Sequence, residues 1–491
     1  MYVATSSVRL AAAIVVLLPS IAVAQIQPQS AANPNVGMLT PTTTNTAAVS
    51  ELRTSLERYN LWNVKASAEH AKRAIELEPT FGLARTVLAI DVGGPTATAE
   101  FQRAATEASS ASVVEALLAL SAREVNAGRA PTGRRLSQLA ADLARNDPQV
   151  ATWRAIQLAD TARVNAFRDV VNRFPDYTGA KLWLAYYLTP LGPDLDSIRK
   201  ANFDEAMSVA IAAVKQAPNE SATHTAVAHV LISAGKYDEA FGHLAAATKM
   251  SPVSEYAYIL QGQIATAEGN IPAYRAAIDS FVATTASVGG AFGYRRTRGF
   301  VALSEGNAQQ AMAEFTQILK DAEAINARGE IGNTHAAMAY VSALTHDTAG
   351  VEAHLGAMRA TQPPEAGRFD TEVIVYSVVG MPEKARAVLK DYIRVNGPRP
   401  DLDPFTNKLR TIGVHRMTGL VLMAEKKPQE ALAEFKQAGN NPFTTLGTIE
   451  AYKLMKNNKQ ADAERAAFFQ RKEFSVNSTA TAIIRYKAVR K

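Results

Sequence analysis

Histidine is the residue of this chain best suited to bind a metal ion or to move a proton near neutral pH. The eight histidines are His70, His224, His229, His243, His335, His346, His354 and His415. None of them lies in an H-E-x-x-H motif, so the zinc-protease signature is missing. His224 and His229 are five residues apart, which places them on different faces of one helix. We therefore expect ordinary surface or interface histidines and no metal site.

Motifs for other kinds of catalysis are missing as well. The sequence contains neither a G-x-S-x-G nucleophile elbow nor a G-x-x-x-x-G-K-[ST] phosphate loop. The glycine cluster Gly289–Gly293 lacks the preceding strand that a dinucleotide loop requires, which favours a turn between repeats. The chain has no cysteine, and this excludes thiol nucleophiles, disulfides and cysteine zinc sites. We predict a protein that is not an enzyme and binds no cofactor.

One basic cluster follows this glycine turn and opens a helix: Tyr294, Arg295, Arg296 and Arg298. A guanidinium cluster of this kind can bind a carboxylate or a phosphate on a partner. The same residues can also form a solvated helix face, with their aliphatic stems packed along apolar neighbours. The sequence leaves both interpretations open.

The first 24 residues resemble a secretory signal peptide. Arg9 precedes an apolar run, Leu10–Leu18, which is short for a membrane span, and Ala22 and Ala24 form an A-x-A cleavage site. We expect cleavage after Ala24 and a periplasmic or secreted protein, with an uncleaved membrane anchor as the alternative. No cysteine is present to carry a lipid anchor.

Residues 25–50 are rich in Gln, Pro, Thr, Asn and Ala, a composition typical of a disordered linker. The net charge of +6 is small for 491 residues and is not gathered into one basic region. We therefore expect no nucleic-acid partner. A second apolar stretch of transmembrane length does not occur, so we expect no integral membrane segment after signal cleavage.

From Glu51 onward, Ala-rich stretches carry apolar residues at intervals of three and four, separated by short breaks with Gly, Asn, Asp or Pro. This pattern is typical of packed amphipathic helices, and we predict an all-α fold. A repeat of 34 residues is visible within it. The positions separated by 34 residues are Phe203 and Tyr237, Ala206 and Ala240, Ala213 and Ala247, and Pro218 and Pro252.

This period and pattern resemble those of the tetratricopeptide repeat, a helix-turn-helix unit. Gly262, Gly299 and Gly419 occupy its small first-helix position, and Ala311 to Phe315 matches its A-x3-F segment. The resemblance implies a right-handed superhelical solenoid of about nine or ten units. It assigns degenerate repeats to 51–180, better-patterned repeats to 181–470 and a capping helix to 471–491. Segments near 91–98, 285–293 and 395–405 look like loop insertions.

In the tetratricopeptide family the first helices line a concave groove that receives peptides or helices. By this resemblance, the candidate groove residues are Thr225, His229, Gln263, Thr266, Arg296 and Arg416. Their mixture of polar, basic and neutral groups suits an extended protein segment better than a small metabolite. The predicted function is a non-enzymatic protein-interaction scaffold of the cell envelope, with binding of cell wall or carbohydrate as the alternative.

Overall fold

The computed structural model describes residues 37–190, 196–361, 368–402, 404–439 and 441–470. These residues form 24 α-helices and one short 3-10 turn, with no strand among them, which confirms the all-α prediction. The predicted signal peptide, 1–24, and the predicted capping helix, 471–491, lie outside the described residues. None of the described helices is both long enough and apolar enough to cross a membrane.

The helices are numbered in chain order. They are α1 Thr46–Asn60, α2 Val64–Leu77, α3 Gly82–Val92, α4 Ala97–Glu107, α5 Val113–Asn126, α6 Ala130–Leu143, α7 Pro148–Ile156, α8 Asp160–Arg173, α9 Thr178–Leu188, α10 Asp196–Gln216, α11 Ser221–Ser233 and α12 Tyr237–Ala247. They continue as α13 Glu255–Glu268, α14 Ile271–Thr284, α15 Val288–Ser304, α16 Ala308–Ala324, α17 Arg328–Leu344, α18 Thr348–Ala360, α19 Phe369–Val379, α20 Pro382–Asn396, α21 Pro404–Ala424, α22 Pro428–Gln437, α23 Pro442–Leu454 and α24 Asn458–Gln470.

Each odd-numbered helix packs against the even-numbered helix that follows it, so the described chain forms twelve two-helix units, numbered 1 to 12 in chain order. Odd-numbered helices also contact each other from unit to unit, for example α11 with α13 and α17 with α19. This stacking makes the chain an α-solenoid. The odd-numbered helices are its inner helices, because the members of that series are the ones that meet across units.

The sequence-based count of nine or ten units is too low. Residues 91–98, which look like an insertion, contain the end of α3, a short turn over 93–96 and the start of α4, the two helices of unit 2. The turn contains Gly93 and Gly94, both at positive φ, and its helices have only eleven residues each. The unit is therefore shorter than the repeats recognised from their 34-residue spacing, and its glycine turn resembles a loop in the sequence.

The linker predicted over 25–50 is wrong for its second half. Leu39 is fully buried, and α1 begins at Thr46. The Asn45 side chain accepts a hydrogen bond from the backbone of Ala48, which caps the helix. Residues 25–36 lie outside the described residues.

Glycine lets the two helices of a unit approach each other in the way that the repeat pattern predicts. A Cβ atom added to Gly299 would lie 2.3 Å from the ring of Phe315, and one added to Gly419 would lie 2.4 Å from the ring of Phe435. Both phenylalanines are buried in the core and come from the second helix of the same unit. The small residue therefore makes room for the aromatic ring that fills the helix crossing.

Replacing Gly299 with alanine is expected to lower the free energy of unfolding by about 1–3 kcal/mol, because the Phe315 ring must move. Gly356→Ala is the matched control, since Gly356 lies inside α18 and its added Cβ would meet no atom within 4 Å outside the backbone of its own helix turn. Alanine there is expected to raise the free energy of unfolding by about 0.5–1 kcal/mol through its higher helix propensity. Chemical denaturation followed by circular dichroism measures both changes. Shifts of the same sign would contradict the packing argument.

Candidate binding surface on the inner helices

The turn between α1 and α2 packs against the inner helices of units 5 and 7, far away in sequence. Trp62, in this turn, meets three rings edge to face, with centroid separations of 5.7 Å to Trp183, 6.0 Å to Tyr186 and 5.5 Å to Tyr256. Trp62 has a φ of 55°, in the left-handed region that Gly235 adopts in the corresponding turn of unit 6. We call this contact between unit 1 and units 5–7 the junction.

Polar contacts surround the aromatic part of the junction. Arg58 donates to both carboxylate oxygens of Glu220 at 3.0 Å, and the backbone N–H of Lys65 donates to Glu255 at 2.8 Å. Glu255 is buried at the first position of α13. Burial raises the pKa of this carboxyl, whereas the hydrogen bond from Lys65 lowers it by a smaller amount. The chain thus holds one of its own segments, 58–65, on its inner surface.

Two candidate groove residues are inaccessible in the structure. Thr225 is fully buried and donates to the Ser221 carbonyl at 2.8 Å. His229 is 1% exposed, and its two ring nitrogens lie 2.8 Å from the Tyr256 hydroxyl and 2.8 Å from the Thr189 carbonyl. Burial lowers its pKa to about 4, so the ring is neutral at pH 7. The assignment of these two residues to an open groove is therefore wrong.

Two other candidates, Gln263 and Thr266, lie together. They line a pocket of about 150 Å³ on α13, which Tyr258 and Tyr294 also line. Thr266 donates to the Gly262 carbonyl at 2.8 Å, while Gln263 is partly exposed at the pocket wall. Of the six candidates, this pair is the one that the structure brings into one cavity.

The arginines of the basic cluster are all engaged in ion pairs. Arg295 pairs with Asp321 at 2.5 Å, Arg298 pairs with Asp279 at 2.6 Å, and Arg296 pairs with Glu330. Their charges are compensated within the chain, which favours the interpretation as a structural helix face over a free anion site.

The sixth candidate, Arg416, is partly exposed on α21 and lies beside Tyr392. Burial raises the pKa of the Tyr392 hydroxyl, and the positive charge of Arg416 opposes this change. Arg296 and Arg416 thus each have a separate partner, in units 9 and 10, and neither of them lines the pocket of Gln263 and Thr266.

Histidines recur at one cross-helix position, which the sequence analysis missed. Nδ1 of His224 lies 3.3 Å from Nδ1 of His243, and the same atoms of His335 and His354 are 3.2 Å apart. In a third pair Glu434 replaces the second histidine, and its carboxylate oxygen Oε2 lies 2.7 Å from Nδ1 of His415. The partners are 19 residues apart in every case, a spacing that could have revealed the register. Within the described ranges no group of three or more His, Asp or Glu could hold a metal ion.

Comparisons with protein-family models and with curated proteins found no match. Solved structures with a similar fold include TTC0263, a thermophilic TPR protein of Thermus thermophilus, at 18% identity and a TM-score of 0.31, over 35% of this chain and 91% of that chain. The Cut9-Hcn1 hetero-tetramer of the APC/C is similar at 15% identity and a TM-score of 0.41, and the match covers 84% of this chain and 76% of that chain. A tetratricopeptide repeat protein from Parabacteroides merdae has 13% identity and a TM-score of 0.28, and the match covers 71% of this chain and 99% of that chain. The assignment as an α-solenoid depends on the helix pairing of this chain itself.

Proposed function

We propose that this chain is a non-enzymatic scaffold whose inner helices bind an extended segment of a partner protein. The observation that carries the proposal is the junction, where inner helices of units 5–7 already hold a polypeptide segment, 58–65. Aromatic rings receive Trp62, and carboxylates receive Arg58 and a backbone N–H. An aromatic anchor with a charged rim is the arrangement by which protein interfaces gain most of their affinity.

The inner helices continue beyond the junction, and that part of their surface is where we place the partner. Gln263, Arg296 and Arg416 are partly exposed along it, and Thr266 lines the small pocket beside Gln263. Stacked helices keep such a surface rigid, so a partner segment binds with little loss of entropy in the scaffold. The signal-like residues 1–24 support a place in the cell envelope as part of the same proposal.

Peptide selection on the purified chain tests this function. A library of random twelve-residue peptides is displayed, and enriched peptides are synthesised and mapped by hydrogen exchange. Protection is expected on the inner helices α13 to α23. Gln263→Trp, which obstructs the small pocket, is expected to weaken binding at least tenfold. The same change at Gln102, exposed on the even-numbered helix α4, serves as the control and should leave binding unchanged.

Two outcomes would overturn this proposal: failure to enrich any peptide, or protection confined to the even-numbered helices. The three tryptophans do not favour the alternative of carbohydrate binding. Sugar-binding sites present exposed aromatic faces, whereas Trp62 and Trp153 are buried and Trp183 is packed among Tyr59, Trp62, Tyr186 and Tyr187.

A further inference from the structure

In four units of the described chain, a polar side-chain pair joins the first helix of the unit to the second at one fixed position. The pairs, in units 1, 6, 9 and 11, are Glu51 with His70, His224 with His243, His335 with His354, and His415 with Glu434. The turn of each unit contains one residue at positive φ: Trp62, Gly235, His346 and Lys426. The first partner lies eleven residues before that residue and the second lies eight residues after it. The four pairs are therefore equivalent in the repeat.

The four pairs are of two chemical kinds. In units 1 and 11 an imidazole meets a carboxylate, and Nδ1 and Oε2 are 2.6 and 2.7 Å apart, as in a short hydrogen bond. In units 6 and 9 two imidazoles meet, and we call these the His–His pairs. A histidine in place of the carboxylate gives up a bond to a charged group, and it brings a second nitrogen ligand to the contact.

The geometry of both His–His pairs suits a shared metal ion. Zinc binds histidine nitrogen at about 2.0–2.1 Å with tetrahedral geometry, so two nitrogens on one ion are about 3.3–3.4 Å apart. The Nδ1 atoms are 3.3 Å apart in unit 6 and 3.2 Å apart in unit 9. The ring centroids are 5.6 and 5.4 Å apart, farther than the nitrogens by nearly two ring radii. The rings therefore turn their Nδ1 edges toward each other.

The proton position in His224 follows from its other ring nitrogen. Nε2 lies 3.0 Å from the Pro218 carbonyl, which can only accept, so Nε2 carries the hydrogen. Nδ1 of the neutral ring then has its lone pair on the side of His243. Metal-binding histidines have this arrangement, in which the second nitrogen donates to a backbone carbonyl. Burial lowers the pKa of His243, His335 and His354, which favours the neutral rings that metal ions bind.

The surroundings of the His–His pairs decide which ions can bind. All four histidines are partly exposed, so a hydrated ion reaches them from the solvent. Since the described residues contain no group of three or more possible ligands, each pair supplies two. Imidazole nitrogen suits zinc, nickel and copper, whereas magnesium and calcium prefer oxygen. The sequence-based expectation of no metal site came from histidines within one helix, but these pairs cross between two helices.

We propose that each His–His pair binds one late first-row divalent transition-metal ion, of the class of Zn²⁺, Ni²⁺ and Cu²⁺, through its two Nδ1 atoms. Water fills the remaining positions of the ion. The ion joins α11 to α12 in unit 6 and α17 to α18 in unit 9. These sites are independent of the protein-binding surface proposed above, so either proposal can fail without the other.

Titration calorimetry tests the sites on the full chain, purified without a polyhistidine tag and freed of metal with a chelator. Two Ni²⁺ ions are expected to bind per chain. Cu²⁺ is expected to bind more tightly than Ni²⁺, in the general order of affinity of nitrogen sites, and Mg²⁺ is expected not to bind. A chain that binds no Ni²⁺, or that binds Mg²⁺ as tightly as Ni²⁺, would overturn the proposal.

Removing one histidine of each pair assigns the ions to their sites. His224→Gln and His335→Gln are each expected to lower the number of bound Ni²⁺ ions by one, and the double variant is expected to bind none. His346→Asn is the matched control, because His346 is exposed and outside the pairs, and asparagine tolerates its φ of 58°. It should leave two ions. Undiminished binding in the double variant would show that the ions bind elsewhere, against the proposal.

Glu434→His tests the same geometry in the opposite direction, because it gives unit 11 the His–His pair of units 6 and 9. A third Ni²⁺ ion is expected per chain. Glu434→Gln removes the carboxylate without adding an imidazole, so it should leave the number at two. Circular dichroism checks that each variant keeps its helices. A number that stays at two in folded Glu434→His would contradict the argument from the repeat position.

Discussion

Trp62→Ala is expected to lower the free energy of unfolding of the N-terminal half by about 3–5 kcal/mol, the usual effect of removing a buried large aromatic ring. Trp62 is 6% exposed and contacts three rings from two other units. The backbone at position 62 has a φ of 55°, which is strained for alanine as it is for tryptophan, so the substitution does not remove this strain. The junction is therefore expected to weaken, because three of its aromatic contacts come from this one side chain.

Hydrogen exchange identifies where the loss occurs. Faster exchange is expected in α9 and α13, which hold the partner rings, as well as in α1 and α2. Phe241→Ala is the control, because Phe241 is 55% exposed and its removal should change the free energy of unfolding by no more than about 0.5 kcal/mol. An effect of Trp62→Ala confined to α1 and α2 would show that the junction does not couple unit 1 to units 5–7.

The repeating part of the fold could be predicted from the sequence, because repetition is a local signal. The glycine positions illustrate this. Gly262, Gly299 and Gly419 are recognisable from the repeat pattern alone, and in the structure Gly299 and Gly419 stand directly against a ring of the paired helix. Such a residue and its partner lie within one unit, so their spacing is constant and can be read from the sequence.

The junction could not be predicted in this way. Trp62 is more than a hundred residues from Trp183 and almost two hundred from Tyr256, and it lies in a turn where several other units have glycine. A single contact between distant units leaves no periodic signature. The groove assignment of Thr225 and His229 is wrong because a repeat pattern shows which helix face points inward but not which neighbouring residues bury it.

Two buried carboxyls are expected to make this part of the chain sensitive to pH: Glu255 in the junction, and Asp91 on α3, close enough to interact with it. Asp91, at the end of α3, is 2% exposed, and burial raises its pKa from 3.8 to about 8. The nearby Ser67 side chain lowers the pKa by a smaller amount, and the charge of Glu255 raises it further. Asp91 is therefore protonated in the folded chain at pH 7, although it is ionised in the unfolded chain.

The direction of the pH effect follows from this difference. A group whose pKa is higher in the folded state stabilises the fold fully at a pH below its unfolded pKa. For Asp91 the unfolded pKa is 3.8, and this stabilisation is lost as the pH rises to the folded pKa of about 8. With about 1.4 kcal/mol for each pKa unit, the loss at pH 8 is on the order of 5 kcal/mol. Asparagine has nearly the same shape and stays neutral, so Asp91→Asn removes the loss.

Asp91→Asn is therefore expected to be more stable than the unaltered chain at pH 8, with a difference that shrinks steadily toward pH 4. Denaturation in urea at intervals of one pH unit measures it, together with hydrogen exchange in α3 and α13. Asp204→Asn, a change at an exposed position of α10, is the matched control and should leave the pH profile as it is. A difference that is the same at pH 5 and pH 8 would mean that Asp91 keeps its charge in the folded chain, and it would contradict the predicted loss of stability with rising pH.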